Sequence, residues 1–372
     1  MNRPTPRYIG LMSGTSMDGV DAGLLLASSD FVLERGITYP LPRELHGRLL
    51  RLVEHPTHVS LDEIGQLDTA LGICFSAAVA ELLRQCDLNA TDITAIGSHG
   101  QTIRHGPSAA YPYSMQVADA NVIAAKTGIT TVADFRRRDI ALGGHGAPLA
   151  PAFHQAIFSH PEEERVVVNI GGMSNITALH ADGTVSGHDT GPGNVLMDAW
   201  AQQHHNQPFD DKGKWARQAV ISRELLQLLK SEEFFGRPPP KSTGRELFNL
   251  SWLTGHLLSM DAAPDPADVQ TTLCELTASS IAESIHDYAP GATRCLVCGG
   301  GARNDFLMER LAALLPQCVV ESSEQHGIAP EWVEAAAFAW LAMQTLTGRA
   351  GNVPDVTGAS KQAILGAIYS AG

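Results

Sequence analysis

Apolar residues along the chain fall into two matching series. Tyr8–Met12 is a short apolar run, followed by the polar turn Ser13-Gly-Thr-Ser-Met-Asp-Gly19 and a second run at Val20–Leu26. A turn at Ser28-Ser29-Asp30 leads into a third run near Phe31–Thr38. Far downstream the series restarts. Val166–Ile170 is β-branched and apolar, Gly171–Asn175 is a Gly-rich polar turn, and Ile176–His180 resumes the apolar pattern. Asp182-Gly183 is a hairpin signal that sends the chain into a third run at Thr184–His188. Each triplet reads as a three-stranded meander.

Helical spacing follows each meander. Ser60 and Glu63 form a capping box, and Ile64, Leu67, Leu71, Ala78, Val79, Leu82 and Leu83 recur at helical intervals to about Gln85. Ile93–Ile96 returns to strand. In the second half, helices are predicted over Val195–Gln203 and Trp215–Lys230, a strand at Arg294–Val297 and a helix over Asp305–Leu315. Two such copies predict a duplicated, two-lobed α/β protein with a central cleft between the lobes. The seam is expected within residues 125–160, where Gly143-Gly144-His145-Gly146-Ala147-Pro148 interrupts regular structure, and Pro238-Pro239-Pro240 marks a loop inside the second lobe. The expected division is an N-terminal lobe over 1–135, rejoined by 355–372, and a C-terminal lobe over 136–354.

Composition narrows the function. A length of 372 residues exceeds one ordinary core. The net charge of −14 argues against a nucleic-acid or anionic-membrane partner, and Arg136-Arg137-Arg138 is too short to track a phosphate backbone. No signal-peptide pattern and no run of membrane-spanning length stands out, and six scattered cysteines suit a reducing compartment. A soluble cytoplasmic protein is expected. Cys295 and Cys298 supply only two ligands and lie in an apolar strand pattern, so zinc is disfavoured. The 15 histidines show no HExxH spacing, and no protein-held transition metal is expected.

Three segments are candidates for chemistry. Gly14-Thr15-Ser16-Met17-Asp18-Gly19-Val20-Asp21 lies in a strand-turn-strand, where backbone N–H groups and hydroxyls can gather around phosphate, although ordinary hairpins use the same residues. Asp18 suits Mg²⁺ accompanying that phosphate, directly or through water. His188-Asp189-Thr190-Gly191-Pro192-Gly193-Asn194 places a carboxylate at a strand end before a Gly-rich turn, fit for a general base, with Asn194 as an alternative N-cap. Gly299-Gly300-Gly301 offers bare backbone to a flat ligand, and the segment satisfies neither the dinucleotide fingerprint nor the P-loop pattern.

In this order the three segments resemble the two phosphate loops and the adenosine loop of the actin-like ATPase and sugar-kinase superfamily. Further motifs narrow the resemblance. Met12-Ser-Gly-Thr-Ser-Met-Asp-Gly-Val-Asp21, Ser98-His-Gly-Gln-Thr102, Asp134-Phe-Arg-Arg-Arg-Asp139 through Leu149, Asn169-Ile-Gly-Gly-Met-Ser-Asn175, Asp189-Thr-Gly-Pro-Gly-Asn194 and Glu334-Ala-Ala-Ala-Phe-Ala-Trp340 resemble the anhydro-N-acetylmuramic acid kinase family from about residue 8 to 369.

That resemblance implies an actin-like ATPase or hexokinase-type fold. It also implies an ATP- and Mg²⁺-dependent kinase that hydrolytically opens 1,6-anhydro-N-acetylmuramic acid and phosphorylates O6 during cell-wall (peptidoglycan) recycling. It implies Asp189 as catalytic base and Gly14–Asp21, Gly191, Gly193 and Gly299–Gly301 around ATP, with Asp18 toward Mg²⁺. Arg137 and Glu334 are implied for the sugar. Without the resemblance, Arg136–Arg138 reads as a solvated charge run and Glu334 as a first-turn helix acid. Trp332, Trp340 and Met343 read as core. His99 and His145 lie in Gly-rich loops and read as structural. Rival readings are another sugar or acid kinase, an ATP-hydrolysing nucleotide switch and a glycoside hydrolase. The oligomeric state stays open, a homodimer included.

Overall fold

The computed structural model describes residues 5–14, 17, 19–28, 31–54 and 59–372. Its strands are β1 (Arg7–Ser13), β2 (Gly19–Leu26), β3 (Val32–Pro40), β4 (Ala95–Gly106), β5 (Tyr113–Val117), β6 (Thr131–Ala133), β7 (Arg165–Ile170), β8 (Met173–Leu179), β9 (Val185–Pro192), β10 (Arg294–Cys298), β11 (Val319–Ser322) and β12 (Ala367–Tyr369). They form two sheets. One runs β12-β6-β4-β1-β2-β3 with β5 paired to β4, and the other runs β11-β10-β7-β8-β9. In each, three antiparallel strands make the expected meander, and the first of them also pairs in parallel with a later strand. A further parallel strand then follows, β6 beside β4 and β11 beside β10. The duplication is therefore written in topology: β3-β2-β1-β4-β6 and β9-β8-β7-β10-β11 share one order.

The chain divides into two compact units. One comprises residues 1–153 and 332–372, the other 154–331. Residues 136–153 and 332–354, expected with the second lobe, pack in the first unit. Two features explain this. Buried Asp139 accepts from the Gly146 N–H (2.8 Å), Asn352 Nδ2 (2.7 Å) and Thr357 Oγ1 (2.7 Å), which ties two distant segments together. Helix Val333–Leu346 also lies directly on the first sheet, because a Cβ at Gly10 would collide with the Ala335 carbonyl and one at Gly97 with that of Phe338. The alanines of this helix are thus the counterpart of strand glycines, and close approach gives dense dispersion contact. Trp340 and Met343 are buried, as expected, and Trp332 covers Gly36.

Local signals explain most element ends. The Ser60 hydroxyl accepts from the Glu63 N–H (3.1 Å) to start helix Leu61–Cys86, while the Glu63 carboxylate turns to Arg48 instead of completing the box. This helix is long and apolar enough by length and composition to cross a membrane, where no run of that length is expected from the sequence. Its apolar face instead enters the core of the first unit with Leu67, Leu71, Phe75, Val79 and Leu82. In the second unit the predicted helix Trp215–Lys230 breaks into a short turn at Ala216–Gln218 and a helix over Arg223–Lys230 capped by Ser222. Cys295 and Cys298 are buried in β10. Burial pushes the Cys295 thiol well above the ordinary range, so it is inert.

Candidate active-site groups of the two units

In the first unit two hydrogen bonds join the described residues that follow β1. Ser13 Oγ donates to the Gly19 carbonyl (2.8 Å), and the Met17 N–H donates to the Gly14 carbonyl (3.2 Å). Met17 takes φ 56°, a left-handed turn, with its side chain buried. Val20 is wholly buried. Asp21 Oδ1 accepts from Thr38 Oγ1 (2.8 Å). Thr15, Ser16 and Asp18, three of the expected phosphate and metal contacts, lie outside the described residues, as do Ser29 and Asp30 of the next turn.

The arginine run resolves into unlike roles. Arg136 donates through Nε and Nη2 to His99 Nε2 (3.0 and 2.9 Å) and through Nη1 to the Gly146 carbonyl (2.7 Å). Burial lowers its pKa to about 10, against the opposing pull of Glu334 and Asp139. It remains a cation at neutral pH. His99 is buried and neutral: burial and then Arg136 hold its pKa well down, and its Nδ1 donates to the Gly100 carbonyl (3.0 Å). His145 is exposed, its N–H donating to the Thr357 carbonyl (2.8 Å).

Arg137 is exposed and pairs loosely with Asp134 (3.5 Å). It borders two cavities. One, of about 330 Å³, is polar and lined by Ser98, His99, Gln116, Asp119 and Asp134 among others; the second, about 350 Å³, is lined by Pro112, Tyr113, Ser114, Ile140 and Ala141. Ser98 Oγ, on the wall of the first, and Gln101 Oε1 are buried without a protein partner. Glu334 reaches solvent, so its desolvation is incomplete; even so, desolvation raises its pKa, with Arg136 opposing and Asp21 adding to the rise. Asp21, Arg136 and Glu334 thus share one electrostatic neighbourhood.

In the second unit Asp189 lies inside β9, which runs on to Pro192 beyond the strand end expected at His188. The register slips between Ser174 and Asn175, leaving Thr190 as the extra residue of a bulge, with its hydroxyl 2.5 Å from Ser174 Oγ. A bulge re-aims neighbouring side chains. Asp189 Oδ2 accepts from the Thr243 N–H (2.9 Å), and the Asp189 N–H donates to the Lys241 carbonyl (3.2 Å). Burial raises the Asp189 pKa to about 6, opposed by the Thr243 N–H and reinforced by Glu246. Such a carboxylate is ionised at neutral pH yet basic enough to take a proton.

The turn after Asp189 is held by main chain. The N–H groups of Gly193, Asn194 and Val195 donate to the Gly172, Gly171 and Gly172 carbonyls (2.9, 2.8 and 3.1 Å), and Thr277 Oγ1 donates to the Gly193 carbonyl (2.9 Å). Asn194 is not the side-chain cap expected; its Nδ2 donates to the Ile170 carbonyl (3.1 Å). The three glycines after β10 also differ. A Cβ at Gly299 would lie 2.5 Å from Asn169 Oδ1, and one at Gly301 would collide with Ile170. At Gly300 the nearest atom is Asn194 Nδ2, at 3.7 Å. Two of the glycines serve packing on β7, and the third leaves its face open.

Some groups carried no sequence signal. Asp198, in the first turn of helix Val195–His205, has a pKa raised by burial to about 7, with Arg245 opposing. A first-turn helix acid is too common a feature to single it out. Arg136 is indistinguishable in sequence from its two neighbours. Lys241 and Thr243 lie in an irregular loop 54 or fewer residues beyond Asp189.

Comparison with known proteins agrees with the motifs over the whole chain. The family model described as anhydro-N-acetylmuramic acid kinase matches residues 6–371. An anhydro-N-acetylmuramic acid kinase of Xanthomonas axonopodis pv. citri is 49% identical over 99% of both chains. One of Vibrio cholerae serotype O1 is 51% identical over 97% of this chain and 98% of its own. Among solved structures, the activator of 2-hydroxyisocaproyl-CoA dehydratase from Clostridium difficile aligns over 92% of this chain and 96% of its own, with 13% identity and a TM-score of 0.46. With a family match from residue 6 to 371 and relatives at about half identity, this chain belongs to the anhydro-N-acetylmuramic acid kinase family.

Proposed function

We propose that the chain is an ATP-dependent kinase that hydrolytically opens the bridge of 1,6-anhydro-N-acetylmuramic acid and phosphorylates O6, giving N-acetylmuramic acid 6-phosphate and ADP. The observation that carries this reading is Asp189: a partly buried carboxylate, one oxygen held by a main-chain N–H, with a pKa raised to about 6. A simple hydroxyl-phosphorylating kinase can use such a base too. The anhydro substrate, however, has no free 6-hydroxyl, so the base has a different proton to take. Asp189 removes a proton from water as that water bonds to C1. The C1–O6 bond breaks, O6 bonds to the γ-phosphorus, and the bond to the ADP oxygen breaks. The demand on the carboxylate is that of an inverting glycosidase.

The first unit holds the sugar in this reading. The polar cavity beside Arg137, with the unpartnered Ser98 hydroxyl, is at the small end of ligand pockets, which span about 300–1,000 Å³. The Arg137 guanidinium suits the lactyl carboxylate, and Glu334, beside Arg136, is a further sugar contact. For ATP, the open face of Gly300 accepts the flat nucleoside. The main chain of Gly14, Met17, Gly19, Val20 and Asp21 and the turn Gly191–Gly193 serve the phosphates, with Thr15 and Ser16 expected to add hydroxyls. Mg²⁺, when bound, screens phosphate charge and needs only one or two protein carboxylates. Asp18 is the proposed ligand, and the carboxylate of Asp21 is its described neighbour in sequence. Work in the cytoplasm fits a chain with six scattered cysteines.

The test is turnover of the anhydro sugar with ATP and Mg²⁺ in ¹⁸O-water, with products read by mass spectrometry before anomeric exchange. Label on the anomeric oxygen of a 6-phosphorylated sugar supports the reading. Label on inorganic phosphate, with the anhydro ring intact, would show an uncoupled ATPase and overturn it.

A further inference from the structure

The Asp189 carboxylate is not held by its own strand neighbours. Its Oδ2 is bound by the main-chain N–H of Thr243 (2.9 Å), and its own N–H by the carbonyl of Lys241 (3.2 Å). The Thr243 hydroxyl is buried and makes no hydrogen bond. Thr243 therefore acts on Asp189 through main chain, and its placement depends on whatever fixes the loop. That loop has no helix or strand between Arg237 and Asn249.

Lys241 supplies the anchor. Its Nζ donates to the Phe235 carbonyl (3.2 Å) and, more weakly, to that of Phe234 (3.4 Å), at the end of the short helix Glu233–Gly236. The ammonium also lies 4.9 Å from the centroid of the Phe234 ring, a cation–π distance. Phe234 is buried against Phe235 and Phe248, and Phe248 in turn meets Trp252, so the anchor is set in an aromatic cluster. Phe235 in turn faces Gly191, where a Cβ would come within 2.8 Å of its ring.

We propose that Lys241 is a positioning residue for the general base: its ammonium fixes the Lys241–Thr243 segment, which pins one Asp189 oxygen and leaves the other to accept the proton from water. This rests on the reading of Asp189 as base. The charged and titratable groups around the carboxylate are His188 on its own strand, Lys241 and Glu246 on the loop, and Asp287, which acts on Lys241. His188 is kept neutral by burial and then Lys241, its pKa lowered to about 4, so it does not titrate near Asp189.

The experiment compares full-length wild type, Lys241→Met, Lys241→Arg and Asp189→Asn for kcat, both KM values, the pH profile of kcat/KM and thermal melting. Lys241→Met is expected to lower kcat about ten- to a hundredfold, with both KM values within about twofold. Its acid limb should move to higher pH, since the lost Thr243 N–H bond is what holds the carboxyl down. Lys241→Arg restores a cation and a donor and should recover most of kcat. Wild-type kcat in Lys241→Met overturns the proposal. So does a kcat loss that tracks lost folded protein while the pH limb stays in place. An active Asp189→Asn would instead sink the reading of Asp189 itself, and the positioning role with it.

Discussion

Replacing Asp189 by Asn tests catalysis and stability in one variant, with opposite signs. Burial raises this carboxyl to about 6, against an ordinary aspartate near 3.9. The folded protein thus binds a proton more tightly than the unfolded chain. Below about pH 4 both states hold the proton and Asp189 costs nothing. As pH rises to 6 the ionised form is increasingly penalised, and above 6 the full cost applies. A gap of roughly 2 pH units at 1.36 kcal/mol each comes to about 3 kcal/mol. Asn is neutral like the protonated acid and keeps an oxygen for the Thr243 N–H, whose help to the charged form is already inside that value, and solvent screening at this partly exposed group brings the gain down to about 1–2 kcal/mol.

Asp189→Asn should therefore be more stable than wild type by about 1–2 kcal/mol at pH 8, and this gain should vanish near pH 4. Turnover should fall about 10²–10⁴-fold, with both substrates still binding. Denaturant titrations at pH 4, 6 and 8 beside steady-state kinetics measure both. A variant no more stable than wild type at pH 8, or equally stabilised at pH 4, would refute the assignment of burial as the cause. Near-normal turnover would refute the base.

Two paired substitutions separate packing from binding. Arg136→Met leaves the His99 ring nitrogen and the Gly146 carbonyl without their donor and should cost about 2–4 kcal/mol by denaturant melting. Arg137→Met, at an exposed position, should change stability by less than about 0.5 kcal/mol while raising the sugar KM. Equal destabilisation by the two would contradict the division of roles. Gly301→Ala forces a Cβ into Ile170, whereas Gly300→Ala meets its nearest atom at 3.7 Å. The former should lower the melting temperature, and the latter should keep it while raising the KM for ATP. A Gly300→Ala variant with unchanged ATP affinity would remove this residue from the nucleotide site.

Much of this protein was legible in residue order because the relevant physics is short-range. Short apolar runs at Tyr8–Met12, Val20–Leu26 and Val166–Ile170 marked strands that the structure contains, and Ser60 begins a helix because a cap acts on an N–H three residues away. The six motifs spread from Met12 to Trp340 resemble the family whose match covers residues 6–371. Tertiary structure decided what local pattern leaves open. Three adjacent arginines have the same chemistry, and only the positions of His99 and Gly146 turn Arg136 inward. Residues 136–153 join the first unit because Asp139 meets Asn352 and Thr357, more than 200 positions away. Glycines 299 and 301 are committed to packing by the end of β7, far back in the chain. The basicity of Asp189 depends on burial and on an amide 54 residues on. A sequence lists donors, acceptors and charges, but desolvation and pairing depend on which of them the fold brings within a few ångströms.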